Sequence, residues 1–513
     1  MTTTDTTAAG AEPGLRRIEP VMSQIKTIVM LMLENRSLDT MLGWLYHNGA
    51  PAVVYPPGSS PRFDGIPSDA VNRYKGGTFM PAEGTEGFRE PCRVPSFDPN
   101  EPMEDVKYQL YADEDGRLPE SGFARLPDVA LWERTPTMSG FVGNCPSEFA
   151  DLRGQLLGAY AARELPVMYG LAESFAVSDR WFSSAPTQTF PNRAFSICGT
   201  SRGAEYNKEI TVETFATTDT VFNLLAAAGK TWGFYWQMAN PLSTLEPVYQ
   251  WEPLTSHWFP RMKEAPNGRI EKWQAFLDAA KAGELPDFCF LEPYWGGGKA
   301  LNDRDWIGYQ GNDYHPPAWV GPAEAALDAL YNALVDSPQW SNMLLIITFD
   351  EHGGSWDHVP PPKTVSPDEI VGKSSFQFDR LGVRVPTILV SPFIQKGTVF
   401  RAPEGSPHDF DHTAFIATLL KWAGVDPSSA GMGHRVAVAP TFEGVLSSVA
   451  RTDKPRFEVP EGYAKQGGGV GAVTFDNLGV RPMNVHAFRA AVDDAEAAAE
   501  LHARLQALTH ESR

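Results

Sequence analysis

An α/β fold with a mainly parallel sheet is expected from three features of this 513-residue chain. Strand-like and helical segments alternate between residues 167 and 423, the order that builds strand–helix–strand units. The runs 25–33 and 343–349 are almost continuously apolar rather than apolar at every second position, as strands covered on both faces require. Acids or hydroxyls follow several of these runs, and the carboxyl ends of such strands are where open α/β sheets hold ligands.

Residues 1–20, rich in Thr and Ala, read as a disordered tail ahead of the first strand at 25–33. Residues 48–136 are rich in Pro, Gly, Asp and Glu with few periodic apolar runs, and read as a long, loop-rich insertion able to wall a cleft. Helices are expected at 167–175 and 220–228, strands at 231–235 and 287–291, and a helix at 322–336. Strands at 343–349 and 385–390 and a helix at 412–423 complete a large domain spanning 21–425. Beyond Gly424 the patterning weakens and a Gly-Gly-Gly-Val-Gly run appears, marking 426–513 as a small extension. Its last segment, 485–508, lacks Gly and Pro and is expected to be a helix.

Composition narrows the function. A formal charge of −20 argues against nonspecific binding to nucleic acid or to anionic lipid, since both need basic surface. The 42% hydrophobic content is that of an ordinary globular protein, and no run approaches the ~18 apolar residues of a membrane-spanning helix. The N-terminus has no basic segment followed by an apolar core, so a cytoplasmic location is expected by default. Cys92, Cys145, Cys198 and Cys289 show no C-x-x-C spacing, so neither a zinc ribbon nor a dense disulfide framework is indicated, although a single bridge stays open.

Four constellations carry chemistry. Asp350 and Glu351 end a buried strand and are followed by His352, Gly353, Gly354, Asp357 and His358; adjacent carboxylates there can hold a divalent cation. Glu34-Asn35-Arg36-Ser37 follows the first strand in the same way, either as hard-metal ligands or as a helix start capped by Asn35 or Ser37. The hydroxyl-rich turn 183–193 precedes an apolar helix at 194–198; a Thr there could cap the helix or attack a phosphate, and Arg193 could clamp a phosphate or make a structural pair. Glu292 ends another strand, His315 lies in a loop where it could bind phosphate or donate a proton, and His412 could reach the site or orient a neighbour. Hydroxyl, carboxylate, amide and imidazole groups at one sheet edge are the components of phosphoryl transfer.

Assembled in order, these motifs resemble the bacterial phospholipase C and acid phosphatase family of phosphoesterases, which includes the plant non-specific phospholipases C. The resemblance spans residues 28 to about 424. It rests on Glu34-Asn35-Arg36-Ser37-Leu38-Asp39, the run 175–182, Thr189-Phe190-Pro191-Asn192-Arg193, Asp350-Glu351-His352-Gly353-Gly354, Asp357-His358-Val359-Pro360 and Asp411-His412-Thr413. It implies an alkaline-phosphatase-like sheet sandwiched by helices, a catalytic domain at 21–425, and one or more divalent ions (Ca, Mg, Mn or Zn) on Glu34, Asn35, Asp350 and Glu351. It further implies Thr189 as nucleophile, His315 and His358 near the phosphate as binders or proton donors, and Asn192, Arg193, Glu292 and His412 as substrate or phosphate contacts. The implied activity is hydrolysis of a phosphodiester such as a glycerophospholipid through a phosphothreonine, with peripheral lipid contact. A phosphomonoesterase and a non-catalytic phosphate- or phospholipid-binding protein are the alternatives. Two positions depart from the family: Leu38 replaces a usual Phe, and Tyr294-Trp295 stands where Arg-Tyr is common, which removes a potential phosphate or head-group contact.

Overall fold

The structure is a computed structural model and describes residues 19–88, 91–121, 124–125, 128–237, 253–300, 306–309 and 311–463. Nine strands form its main sheet: β1 (Thr27–Leu33), β2 (Val53–Tyr55), β3 (Ala176–Ser178), β4 (Trp232–Trp236), β5 (Gly268–Lys272), β6 (Phe288–Glu292), β7 (Met343–Phe349), β8 (Thr387–Val390) and β9 (Thr398–Phe400). Their order across the sheet is β5-β4-β6-β1-β7-β8-β3-β9-β2. Every neighbouring pair is parallel except those made by β8, which runs antiparallel to both β7 and β3. The expectation of a mainly parallel sheet therefore holds, with one reversed strand that the apolar pattern of 385–390 gives no means of orienting.

The helices that matter here are α1 (Leu38–Leu42), α2 (Met103–Tyr111), α3 (Pro166–Ser174), α4 (Thr189–Cys198), α5 (Val221–Ala227), α6 (Trp273–Ala282), α7 (Gly321–Val335) and α8 (Thr413–Trp422). Helix α7 packs against α3 and α6, while α8 packs against α4 and α5. β1 and β7 are buried at all seven positions, so helices cover both faces of the sheet, as their continuous apolar runs require. Helix α7 also carries a buried carboxylate, Glu324, that accepts the Val167 and Met168 amides in the first turn of α3. A side chain of one helix thereby satisfies the orphan donors of the next.

Register places the site. Thr27 pairs with Met343 and, in step, Leu33 with Phe349, so Glu34 and Asp350 leave the sheet side by side. On the other flank of β1, Leu31 pairs with Leu291, which brings the end of β6, Glu292, to the same edge.

Residues 48–136 hold more order than their composition suggests. They supply the edge strand β2 and the helix α2, and a second apolar core joins Ile66, Phe97, Val106 and Leu110 of this segment to Trp356, Phe376 and Phe378. All four cysteines are free thiols. Past residue 425, the described chain ends as a strap over α3 and α7: Phe457 packs on Tyr331, Lys454 Nζ donates to the Val335 carbonyl at 2.7 Å, and Tyr463 Oη donates to the Glu164 carbonyl at 2.9 Å. The tail at 1–18, the glycine-rich run and the helix expected at 485–508 lie outside the described residues.

Candidate active site

The two acidic turns at the ends of β1 and β7 are laced together by their own backbones. Asn35 N donates to Asp350 Oδ1 at 3.1 Å, and Arg36 N donates to the Glu351 carbonyl at 3.0 Å. Asn35 sits at φ 54, a left-handed conformation its short amide side chain tolerates. Gly353, at φ +57, must be glycine on two counts, because a Cβ there would overlap the Asn35 carbonyl. Ser37 Oγ caps α1 by accepting from Thr40 N at 3.2 Å, so the helix-start reading of this segment is realised by Ser37.

Helix α4 begins at Thr189, five residues earlier than its apolar run suggests. Pro191 falls in the first turn, where its missing N–H does no harm, and Asn207 Oδ1 accepts the Phe190 amide at 2.8 Å. This start places Thr189 Oγ1 3.3 Å from Glu34 Oε2 and 3.3 Å from Asn35 Oδ1. Thr187, the nearby hydroxyl, is instead spent on the Glu205 carbonyl.

Arg193, one turn along α4, pairs with Glu34 Oε1 at 2.6 Å and lies 3.4 Å from Asp350 Oδ2. Its guanidinium stacks 4.4 Å from the Trp295 ring centroid, so the aromatic residue that replaces the family's usual sequence here covers the arginine. Its Nη1 is buried without a hydrogen-bond partner. His315 closes the group: its Nε2 is 3.1 Å from Asn35 Nδ2 and 3.3 Å from Asp98 Oδ1, and its Nδ1 is 4.0 Å from Glu34 Oε2.

The electrostatics are those of a crowded, dry carboxylate cluster. Burial, then the neighbouring Asp350, raise the Glu34 carboxyl well above its ordinary range against the opposing pull of Arg193. Burial, then Glu101 and Asp350, do the same to Glu351. Glu292 is pushed up to about 7 by burial, with Arg193 opposing. Burial works against a charge on His315, but Asp98, Asp313 and Glu101 together outweigh it and raise the imidazole to about 9.

Glu34 and Asp350 thus share the Arg193 guanidinium, Glu351 has only His352 Nδ1 at 3.2 Å as a basic partner among the described residues, and two of these carboxylates' buried oxygens, Asp350 Oδ2 and Glu351 Oε1, accept no hydrogen bond. Uncompensated buried carboxylates are costly, and a hard divalent cation is what an all-oxygen donor set of carboxylates and an amide suits. The residues fit such an ion.

Three side chains expected to meet the substrate have other partners in the structure. Asn192 is committed to its own turn: Oδ1 accepts from Ala185 N at 2.9 Å, and Nδ2 donates to the Ala185, Thr187 and Gln188 carbonyls at 2.8–3.1 Å. It shapes the loop ahead of Thr189 and has no hydrogen left for a phosphate. His412 is buried; its Nε2 donates to the Asp350 carbonyl at 2.6 Å and its Nδ1 faces Trp181 Nε1 at 3.5 Å, with burial lowering its pKa. It orients Asp350. His358 stands in a different polar cluster, with Nδ1 2.7 Å from Asp39 Oδ2 and Nε2 3.4 Å from Asp64 Oδ1.

In that second cluster the ligand atoms of Asp39, Asp357 and His358 lie within 4.8 Å of one another. Arg384 already supplies the positive charge there, with Nη2 3.0 Å from Asp39 Oδ1 and Nε 3.0 Å from Asp357 Oδ1. The cluster ties the first turn of α1 to the loop after Glu351 and so buttresses the two acidic turns.

A match to the phosphoesterase family model runs over residues 25–426. The chain belongs to the phosphoesterase family. It is accordingly a hydrolase acting on phosphoester bonds. Among curated relatives of this phosphoesterase, non-specific phospholipase C6 of Arabidopsis thaliana is 33% identical over 84% of this chain and 74% of its own. Phospholipase C A of Mycobacterium tuberculosis is 26% identical over 79% of this chain and 74% of its own. Of solved structures, a protein in the alkaline phosphatase superfamily from Vibrio parahaemolyticus aligns over 55% of this chain and 65% of its own at 14% identity, with a TM-score of 0.31. Among the described residues no helix is long and apolar enough to cross a membrane.

Several participants escaped the sequence reading. Asp98 and Glu101 come from the long insertion and reach His315 and Gln188; they lie in an ordinary-looking Asp-Pro-Asn-Glu-Pro stretch. Arg384 belongs to no motif, and Asp39, at the end of the Glu34–Asp39 motif, carried no expected role. His352, inside the best motif, holds Gln109 Oε1 with its Nε2 at 2.8 Å and sets its Nδ1 3.2 Å from Glu351 Oε2.

Proposed function

We propose that this phosphoesterase is a phospholipase C-like enzyme that cleaves a phosphodiester such as a glycerophospholipid, with Thr189 as nucleophile. The observation that carries the reading is the position of Thr189 Oγ1, at the first residue of α4 and 3.3 Å from both Glu34 Oε2 and Asn35 Oδ1. The names of the relatives, plant and mycobacterial phospholipases C, support the diester class.

Glu34, Asn35, Asp350 and Glu351 would hold a divalent cation, which when bound lowers the pKa of a nearby hydroxyl and offsets charge developing on phosphoryl oxygens. The chain's own groups do the rest. Thr189 Oγ attacks phosphorus as its proton passes toward Glu34 Oε2, and the bond from phosphorus to the lipid alcohol breaks opposite it. Arg193 Nη1, buried and uncommitted, is a donor for a nonbridging oxygen. His315, raised to about 9 and therefore charged at neutral pH, gives a proton to the departing alkoxide. Neutral His315 then takes a proton from the water that attacks phosphorus, the bond from phosphorus to Thr189 Oγ breaks as Glu34 returns the proton to that oxygen, and the phosphorylated head group leaves. Glu292, with one buried oxygen unpartnered, faces this edge as a contact for the substrate.

Thr189→Ala should lower turnover of a chromogenic phosphodiester at least about a thousandfold without shifting the melting transition. A loss of less than tenfold would remove Thr189 from the chemistry. Exhaustive chelation should silence the enzyme and Mg, Mn or Ca should restore it; turnover that survives chelation would show the carboxylates to be structural. Faster hydrolysis of a phosphomonoester than of phosphatidylcholine would assign the phosphatase activity instead.

A further inference from the structure

Arg36 lies between Asn35 and the helix cap Ser37, and the scheme above gives its side chain nothing to do. The side chain is fully buried. No carboxylate pairs with it among the described residues, and its Nη2 is buried without a hydrogen-bond partner. Its other nitrogens end on main-chain oxygens: Nε donates to the Tyr314 carbonyl at 2.7 Å and Nη1 to the Val94 carbonyl at 2.6 Å. The guanidinium lies 5.5 Å from the Tyr160 ring centroid, and the Tyr160 hydroxyl donates to the same Val94 carbonyl at 2.9 Å. Desolvating a guanidinium without an opposing carboxylate is costly, so the two carbonyls it holds are where its use is to be sought.

Those two oxygens belong to the segments that carry one pair of side chains. Tyr314 precedes His315, and Val94 lies four residues before Asp98, whose Oδ1 is 3.3 Å from His315 Nε2. Tyr314 itself sits at φ 69, in the left-handed region that an aromatic residue rarely adopts. Such a conformation persists only where the surroundings over-determine it. Here they do. The Tyr314 carbonyl accepts from Arg36 Nε, its hydroxyl donates to the buried Glu324 Oε1 at 2.6 Å, and its ring lies 5.7 Å from that of Phe349, the residue before Asp350. Asp313 completes the frame, its Oδ1 accepting the His315 amide at 3.2 Å and its carbonyl the Glu34 amide at 3.0 Å. Arg36 thus ties the His315 segment and the Asp98 segment to the turn that carries Glu34 and Asn35.

We infer that Arg36 is a positioning residue for proton transfer: through the Tyr314 and Val94 carbonyls it sets His315 and Asp98 opposite Asn35, where the imidazole serves the leaving oxygen. The inference rests on the reading of His315 as proton donor and adds what holds it in place. An arginine suits this position because its planar fork reaches two oxygens in fixed directions, which a lysine ammonium on one flexible stem does not. A misplacement of about 1 Å at a group that must hand over a proton costs about a hundredfold in rate.

The test compares two esters that share the phosphorylcholine group and differ in the leaving oxygen. One is p-nitrophenyl phosphorylcholine, whose phenolate leaves unaided; the other is a short-chain monomeric phosphatidylcholine, whose alkoxide needs the proton. The quantity read is kcat/KM, which stops at the phosphothreonine and is blind to its hydrolysis. Arg36→Lys should lower kcat/KM about a hundredfold on the phosphatidylcholine and less than about fivefold on the aryl ester. Tyr314→Phe, which frees the ring from Glu324, should widen the same ratio about fivefold, and it carries the test if the lysine variant does not fold. Arg36→Lys/His315→Gln should discriminate between the esters no more than His315→Gln alone, because the first residue acts through the second. Equal losses on both esters from either single variant at Arg36 or Tyr314 overturn the inference, since a fold defect or a lost phosphate contact slows both alike. If His315→Gln itself slows the two esters equally, the proton-donor reading falls and the inference with it. If His315→Gln discriminates and Arg36→Lys does not, the inference alone falls.

Discussion

Arg384→Met should expose how much the active site depends on the charge cluster behind it. Arg384, Asp39 and Asp357 are all fully buried. The guanidinium donates to Asp357 Oδ1 at 3.0 Å and Asp39 Oδ1 at 3.0 Å, and to the Asp64 and Asp179 carbonyls at 2.7 and 3.0 Å. Methionine fills much of the volume but leaves two buried carboxylates and two carbonyls without their donor. Removing one partner of a buried ion pair costs about 3–5 kcal/mol, and the bereft carbonyls add about 1 kcal/mol or more. Protonation limits the loss. Burial already raises Asp357 to about 6 against the pull of Arg384, so without the arginine its folded pKa climbs further while the unfolded value stays near 4. A pKa raised further in the variant adds a deficit that is present at high pH and disappears as pH falls below the wild-type value. We therefore expect a loss of about 4–5 kcal/mol at pH 8 and about 2 kcal/mol less at pH 5. Urea unfolding followed by tryptophan fluorescence measures both. A loss under 1 kcal/mol at pH 8, or one no smaller at pH 5, would refute the reasoning, because the carboxylates would then not depend on this guanidinium.

Other consequences are more local. His358 is raised to about 9, burial opposing the charge but Asp39 and Asp64 prevailing; its contribution is full below about pH 6.5 and lost as pH rises through 9, so the wild type should lose more stability over that window than His358→Gln, as melting at stepped pH will show. Asn192→Ala deletes the four hydrogen bonds that hold residues 185–188 and should cost about 2–4 kcal/mol and lower kcat more than it raises KM, read from denaturation and steady-state kinetics. Gly353→Ala and Gly431→Ala both place alanine at positive φ, but only the first collides with Asn35; Gly431→Ala should cost about 1 kcal/mol and keep activity, whereas Gly353→Ala should cost clearly more and abolish it. His412→Asn should lower the affinity for activating metal about tenfold or more, measured by titration of the chelated enzyme, because it loosens the Asp350 carbonyl rather than a phosphate contact.

What could be read from the chain follows from where the signal is written. β1 and β7 announce themselves because burial on both faces demands seven consecutive apolar residues, and the acids that end them must be local in sequence. β3 and β9 have three residues each, too few for a period to emerge, and the direction of β8 is set by its connections rather than its composition. The same division runs through the site. Glu34, Asn35, Thr189, Asp350 and Glu351 belong to compact motifs and come together in space. Asn192, His358 and His412 belong to motifs just as compact, yet their hydrogen bonds turn out to hold loops and neighbours, a distinction that depends on which way a side chain points. Asp98, Glu101 and Arg384 carry no motif, because their partners lie far away in the sequence.

That second group explains why the first can exist. A protein that leaves Asp350 Oδ2 and Glu351 Oε1 buried without a hydrogen-bond donor pays for the arrangement in stability, and the cost must be met without filling the space those oxygens face. Fixed contacts hold the two acidic turns in place: the Asn35 and Arg36 amides lace one turn to the other, His412 holds the Asp350 carbonyl, and Arg384 clamps Asp39 to Asp357 downstream of both. Arg193, Thr189 and His315 approach the Glu34 and Asn35 side chains directly, and the first two come from the first two turns of α4, whose start is itself set by Asn192 and Asn207. The residues that resemble catalytic groups in the sequence but hold loops in the structure are thus what keeps a charged, incompletely satisfied pocket from collapsing on itself.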